Sequence, residues 1–164
     1  MTDRLLRPAE RIRAEVVELA RVVERAQMAW HKVQQSADDL YLDSAALNLH
    51  GFYAGLERLF ELIASVVDDR PPQGAKWHQV LLDQMADEVP HERPAVISEE
   101  TRAALDEYRS FRHIVRNVYT FRFDPTRVQS LVERLPGVFE QARQELLSFA
   151  AFLEQQAQMG EDQS

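Results

Sequence analysis

Four interruptions cut this chain of 164 residues into stretches whose apolar residues recur every three or four positions. That spacing is the stripe of an amphipathic helix, and no stretch alternates as a half-buried strand would. From Ala9 to about Gln35 the stripe is Ile12, Val16, Leu19, Val22, Val23 and Ala26, with Pro8 suited to the first turn. Ser36-Ala37-Asp38-Asp39 is a break, after which a second helix is predicted to about Val67, its apolar face Leu49, Phe52, Tyr53, Leu56, Leu59, Phe60 and Ile63. Gly51 and Gly55 lie one turn apart on it and predict the close approach of a neighbouring helix. The loop Asp68-Asp69-Arg70-Pro71-Pro72-Gln73-Gly74 precedes a short helix, Lys76 to Glu88. The prolines of Pro90-His91-Glu92-Arg93-Pro94 forbid helix again. Ser98, followed by Glu99 and Glu100, is an N-cap with acids in the first turn, opening a fourth helix to about Thr120. Asp124-Pro125 restarts the chain as N-cap and first helical residue; the last helix is expected to reach about Gln158, bent near Pro136-Gly137. Gly160 to Ser164 should fray. Four long helices and one short one predict an all-α fold, an antiparallel four-helix bundle with an extra short helix.

Composition narrows the chemistry. Cysteine is absent, which excludes disulfides, thiol nucleophiles and thiolate metal sites and fits a reducing, cytoplasmic setting. The opening residues MTDRLLRPAERIR hold no apolar core of a signal peptide, and no apolar run approaches membrane-spanning length, so no membrane partner is expected. A formal net charge of -8 argues against loose coating of nucleic acid, although it allows a small basic site.

Such a site is legible on the fourth helix. From Thr101 to Arg127 six arginines face Asp106, Glu107 and Asp124, and no lysine occurs. On a helical wheel Tyr108, Phe111, Val115 and Val118 form the apolar seam. Arg112 and Tyr119 border it, Arg116 and Arg109 come next, then His113, with Asn117 on the far side. Spacing alone also permits a solvated face with ordinary partners one turn away. Two details favour phosphate handling. Arginine is the better fork for phosphate oxygens. His113 sits among cations, a setting that discourages a further positive charge and leaves the imidazole available as a base. Cleaving RNA without a metal requires a base for the 2′-hydroxyl, an acid for the leaving 5′-oxygen and a cation for the charge on phosphorus. One strip supplies the cation and one proton carrier; two strips facing each other across a homodimer would supply both carriers.

Elsewhere the residues read mostly as structure. His50 is either a packed, hydrogen-bonded histidine or, with Asn48, a border of the pocket. Glu57 and Glu61 share one side of the second helix, but no Glu-x-x-His completes a bundle metal site, so no metal and no cofactor are expected. One of those glutamates could instead pair with an arginine of the fourth helix. Trp77-His78 reads as a helix start docking an aromatic into the core; Trp30 and Met28 read as core or interface. There is no phosphate-cradling glycine loop, no GxSxG and no plausible Ser-His-Asp order.

The stretch FRHIVRNVYTFRFDP, with LNLHGFYAGLERLFELIA upstream and WHQVLL between them, resembles the HepT-like branch of the HEPN superfamily. The likeness covers roughly Leu5 to Leu153, in helix order as well as motif. It implies a helical domain that dimerises through its motif helix; a single domain is expected over residues 1–158, with 159–164 a disordered tail. It also implies a metal-independent endoribonuclease toxin acting on RNA. The expected partner is an MntA-like minimal nucleotidyltransferase antitoxin, which silences such toxins by attaching AMP to a tyrosine near the motif. The superfamily motif is an arginine, four to six residues, then a histidine, with a tyrosine two residues later in this branch. Arg112 matches the arginine and Tyr119 the tyrosine, whereas Asn117 stands where the histidine belongs. Asparagine cannot shuttle a proton, though it can hydrogen-bond a phosphate or a 2′-hydroxyl.

The resemblance gives Arg112 and Asn117 their places in the expected catalytic set, and His113, the imidazole next to the motif arginine, is expected to stand in for the missing histidine. His113 carries the proton, Arg109, Arg116 and Tyr119 bind substrate, and Tyr119 is also the site of modification. The alternative is a catalytically inactive HEPN module that binds a nucleotide or a nucleotidyltransferase partner.

Overall fold

Helix α1 (Thr2–Gln35) and helix α2 (Leu40–Leu62) are joined by a four-residue turn and lie antiparallel. A π-helical turn, Ile63–Val67, carries α2 into the proline loop. Three further helices follow: α3 (Trp77–Ala86), α4 (Glu99–Asn117) and α5 (Pro125–Asp162). The computed structural model describes residues 2–119 and 122–163. Among them the architecture is all-α, with four long helices, one short one and no strand beyond an isolated bridge between Val89 and Arg93.

Cross-helix pairs fix the directions. Arg13 meets Glu154 while Gln27 reaches Val132, so α1 and α5 run antiparallel. Ser98 bonds Glu145 while Tyr108 donates to Leu131 O, so α4 and α5 do too. The core between them holds Ile12, Leu19, Phe52, Tyr53, Leu56, Phe60, Tyr108, Phe111, Leu131 and Leu146, all buried. Burying each such side chain contributes roughly 1.5–3 kcal/mol, which outweighs modest local propensities. Phe52 packs edge-on against Tyr108 and Phe139, with centroids 5.5 and 6.2 Å away.

The expected close approach of two helices occurs at Gly55. A Cβ built there would lie 2.8 Å from Leu19 Cδ2 and 3.1 Å from Glu15 Oε1 of α1. Gly51 is looser, with Val22 Cγ1 at 3.9 Å.

Several boundaries differ from the sequence expectation. Helix α1 begins at Thr2, so Pro8 is inside it rather than in its first turn. Leu5 packs on the core and Ala9 is fully buried, which rewards continuing the helix through the proline. Helix α5 passes through Pro136 and Gly137 unbroken and extends beyond Gln158 to Asp162; Ser164 lies outside the described residues. Helix α4 stops at Asn117, ahead of the expected Thr120, which itself lies outside the described residues. Val118 is extended, with φ -126° and ψ 141°. Val, Tyr and Thr are poor helix formers, and the chain must turn to bury Phe123 before the Asp124 cap of α5. Val118 thus ends the seam, and Tyr119 is off the helix, 74% exposed, rather than at the core border. Met28, read as core or interface, is exposed and so is not part of the core.

The N-caps follow the sequence. Ser98 Oγ accepts from Thr101 N and Asp124 Oδ1 from Thr126 N. Helix α3 is held by a buried clasp that composition does not announce. Arg93 grips Asp68 with Nε at 2.5 Å and Nη2 at 2.8 Å, and donates also to the carbonyls of Gln84, Asp87 and Pro94. This ties the end of the π turn to the end of α3. At the other end of α3, Gly74 adopts φ +99°, a turn costly for any other residue, and Trp77 N donates to its carbonyl. Both ends of α3 are thereby set against α2 and α4.

Candidate functional site

The polar arc of α4 opens into a cleft of 460 Å³ lined by Arg109, Arg112, His113, Arg116 and Asn117 on one side and by Ala75, Lys76, His78 and Gln79 on the other. Among the described residues, four cationic side chains and two imidazoles line it, and no carboxylate does. Helical spacing explains the first group: residues three, four and seven apart share a face. Gly74 and the start of α3 explain the second. Asp106 engages Arg109 at 2.8 Å one turn back, partly neutralising it.

Beneath the cleft lies a single carboxylate. Glu57 is buried on α2; its Oε1 accepts from Arg112 Nη1, and its Oε2 is 2.9 Å from His78 Nδ1. The expected partnership between an α2 glutamate and an α4 arginine falls to Glu57, whose side chain is 4% exposed, and Arg112, at 18%. Glu61 is exposed and takes no part in it. The Arg112 Nε is buried without a partner, as is the hydroxyl of Tyr53, which lies fully buried near the same charges. Burial, with Glu57 adding to it, holds the Tyr53 phenol well above its ordinary range, so it stays protonated.

His113 and Asn117 interact across one turn. The Asn117 amide nitrogen is 2.7 Å from the His113 carbonyl and 3.3 Å from its Nδ1. Both are exposed at the cleft mouth. Tyr119 does not line the cleft; its carbonyl accepts from Arg122 N just past the helix end. Asn48 donates back to Ser44 O within α2. His50 is half-buried nearby and does not line the cleft; burial lowers its pKa, helped by Arg112 and Arg116 and opposed by Glu57.

The structure adds two side chains that motif reading passes over, Lys76 and His78. His78 reads in sequence only as the neighbour of a docking tryptophan. Trp77 does pack against the core, and its ring lies 3.6 Å from that of His78. The signal that could have found His78 is the pairing of a helix-start histidine with an isolated glutamate on the apolar face of α2.

Chemically, the cleft can take a dianion or a run of phosphodiesters. Guanidinium groups fork onto phosphate oxygens, and imidazoles can donate or accept protons at hydrogen-bond range. No helix among the described residues is long and apolar enough to cross a membrane. A family model described as HepT-like protein matches residues 44–153, which include most of α2, all of α3 and α4, and the whole cleft. No curated protein and no solved structure matches the chain.

Proposed function

The chain belongs to the HepT-like family, and on that premise we propose that it is a HEPN-type endoribonuclease toxin that cleaves RNA without a metal and acts as a homodimer. The observation that carries this reading is the concentration of Lys76, Arg109, Arg112, Arg116, His78 and His113 around one cleft on a molecule whose net charge is -8. In this reading Arg112 and Arg116 hold the scissile phosphate and stabilise its developing charge. His113 transfers protons, and Asn117, bonded back to His113, positions both imidazole and substrate. Arg109 extends the cationic track.

Tyr119, exposed beyond the end of α4, is the control point. AMP attached there by an MntA-like minimal nucleotidyltransferase would bring a second anion to the end of the arginine strip and compete with RNA for it. Mass spectrometry of Tyr119 after co-expression with such a partner reads this out directly.

The test of the nuclease is incubation of the pure protein with transfer or messenger RNA in EDTA, beside Arg112→Ala. Cleavage by the parent and a loss of about 10²–10³-fold in the variant is expected, the usual cost of removing one transition-state donor. Intact RNA with the parent, or equal cleavage by both, overturns the reading.

A second reading is favoured by a specific observation: Arg112 is already engaged by Glu57, and Asn117 stands at the motif histidine position. Under it the chain is a non-catalytic module that binds a nucleotide or a nucleotidyltransferase partner. Tight complex formation with no RNA turnover, even after AMP is removed, decides for this second reading.

A further inference from the structure

We propose that His78, on α3 and outside the α4 motif, is the general base of this site, so that one chain holds both proton carriers in one cleft. The proposal rests on the nuclease reading and extends it to a residue that the arginine strip does not contain.

Three observations carry it. His78 lines the same cleft as Arg112, Arg116 and His113, facing them from α3. Its ring is held at two places: Nδ1 lies 2.9 Å from Glu57 Oε2, and its face lies against Trp77 at 3.6 Å. Glu57 is committed on both oxygens, with Arg112 on Oε1.

A carboxylate only accepts hydrogen bonds, so the His78 proton sits on Nδ1 and Nε2 carries the free lone pair. That is the tautomer a general base requires. The carboxylate behind it stabilises the imidazolium that forms when the base takes a proton, as in hydrolase triads. Glu57 is thus shared between the group that holds phosphate and the group that moves the proton, which couples their positions.

The step balances within the cleft. His78 Nε2 takes the proton from the ribose 2′-hydroxyl as that oxygen bonds to phosphorus. Arg112 and Arg116 hold the non-bridging oxygens. The bond from phosphorus to the 5′-oxygen breaks, and protonated His113 gives that oxygen its proton. The products are a 2′,3′-cyclic phosphate and a free 5′-hydroxyl. The two imidazoles return to their starting states by proton exchange with water. When His113 is protonated, the Asn117 amide keeps its bond to the His113 carbonyl and gives up its contact with Nδ1.

The experiment uses the full chain and a short oligonucleotide with a single ribose, prepared with either oxygen or sulfur at the bridging 5′ position. A thiolate leaves without needing a proton, so sulfur repairs the loss of an acid and not the loss of a base. His78→Ala and His78→Gln should both cleave each substrate about 10²–10⁴-fold more slowly than the parent. Glutamine can still donate to Glu57 and cannot carry a proton, so it separates chemistry from folding. His113→Ala should be slow on oxygen and close to parental on sulfur. Cleavage by His78→Gln at the parental rate, or its recovery on the sulfur substrate, overturns the assignment of His78 while leaving the nuclease intact. A parent that leaves the oxygen substrate whole overturns the nuclease reading itself, and this one with it.

Discussion

Glu57 and Arg112 form an ion pair that roofs the buried core and floors the cationic cleft, with the carboxylate 4% exposed and the guanidinium 18%. A charge so placed is costly unless partnered. Glu57→Gln removes the charge while keeping the shape. Hydrogen bonds to charged groups contribute about 1.5–3 kcal/mol, and a loss of that size in urea denaturation is expected. Arg112→Gln should also destabilise, and the double variant should lie closer to the parent than the sum of the two. Additivity within about 0.5 kcal/mol would mean that the pair does not couple.

The seam between α1 and α2 makes a contrast between two glycines testable. At Gly55 an added methyl meets Leu19 and the carboxylate of Glu15 inside contact distance; at Gly51 it meets only Val22 at 3.9 Å. Gly55→Ala should destabilise by about 1–3 kcal/mol through overpacking. Gly51→Ala should be neutral or stabilise by up to about 1 kcal/mol, since alanine favours helix. Equal effects in thermal unfolding would contradict the close approach at Gly55.

Arg93 and Asp68 are buried together, their side chains 0% and 1% exposed. Arg93→Ala strands the Asp68 carboxylate and unties the end of α3, and should cost about 3–5 kcal/mol. Amide hydrogen exchange should quicken first in 77–86, the segment the clasp holds. Uniform exchange across the molecule would show that the clasp does not set α3 in particular.

Much of this was readable from the residues. The loops at 68–74 and 90–94, the Ser98 and Asp124 caps and the four long helices follow from proline placement and three-to-four periodicity, both local properties. The arginine strip was visible for the same reason, since Arg109, Arg112 and Arg116 belong to one helix. What crossed between helices was harder. Glu57 and Glu61 share one side of α2, and although a wheel sets Glu57 nearer the apolar stripe, only the packing of α2 against α4 joins it to Arg112. His78 becomes a cleft residue through the turn at Gly74 and the clasp at Arg93, neither of which has a periodic signature. Tyr119 was misplaced because a wheel continues past the residue where the helix stops.

His50 gives a pH dependence with a definite sign. Burial first, then Arg112 and Arg116, hold its pKa below the ordinary value, against Glu57. Well above about pH 6.5 the imidazole is neutral in folded and unfolded chains alike. Below that, the unfolded chain takes the proton first, so stability falls with acid until the lower folded value is passed. His50→Gln should flatten this part of the stability profile between pH 7.5 and 5. Phosphate bound to Arg112 and Arg116 would offset their charge, and should move the His50 titration upward in NMR. A titration indifferent to phosphate would place the anion elsewhere.

Restoring the motif histidine tests the alignment of the strip with its chemistry. Asn117 is exposed at the cleft mouth, its amide folded back onto the His113 carbonyl. Asn117→His would set a second imidazole one turn beyond His113 at the same mouth. Surface substitutions of this kind usually change stability by no more than about 0.5 kcal/mol, so a change in activity would report chemistry. A well-placed proton carrier contributes about 10²–10⁴-fold. RNA cleavage should therefore rise by at least about tenfold. An increase confined to acidic pH would show the new imidazole acting as the acid. A rate that is unchanged or lower would mean that position 117 is not where this cleft delivers a proton, and would detach Asn117 from the motif to which its spacing assigns it.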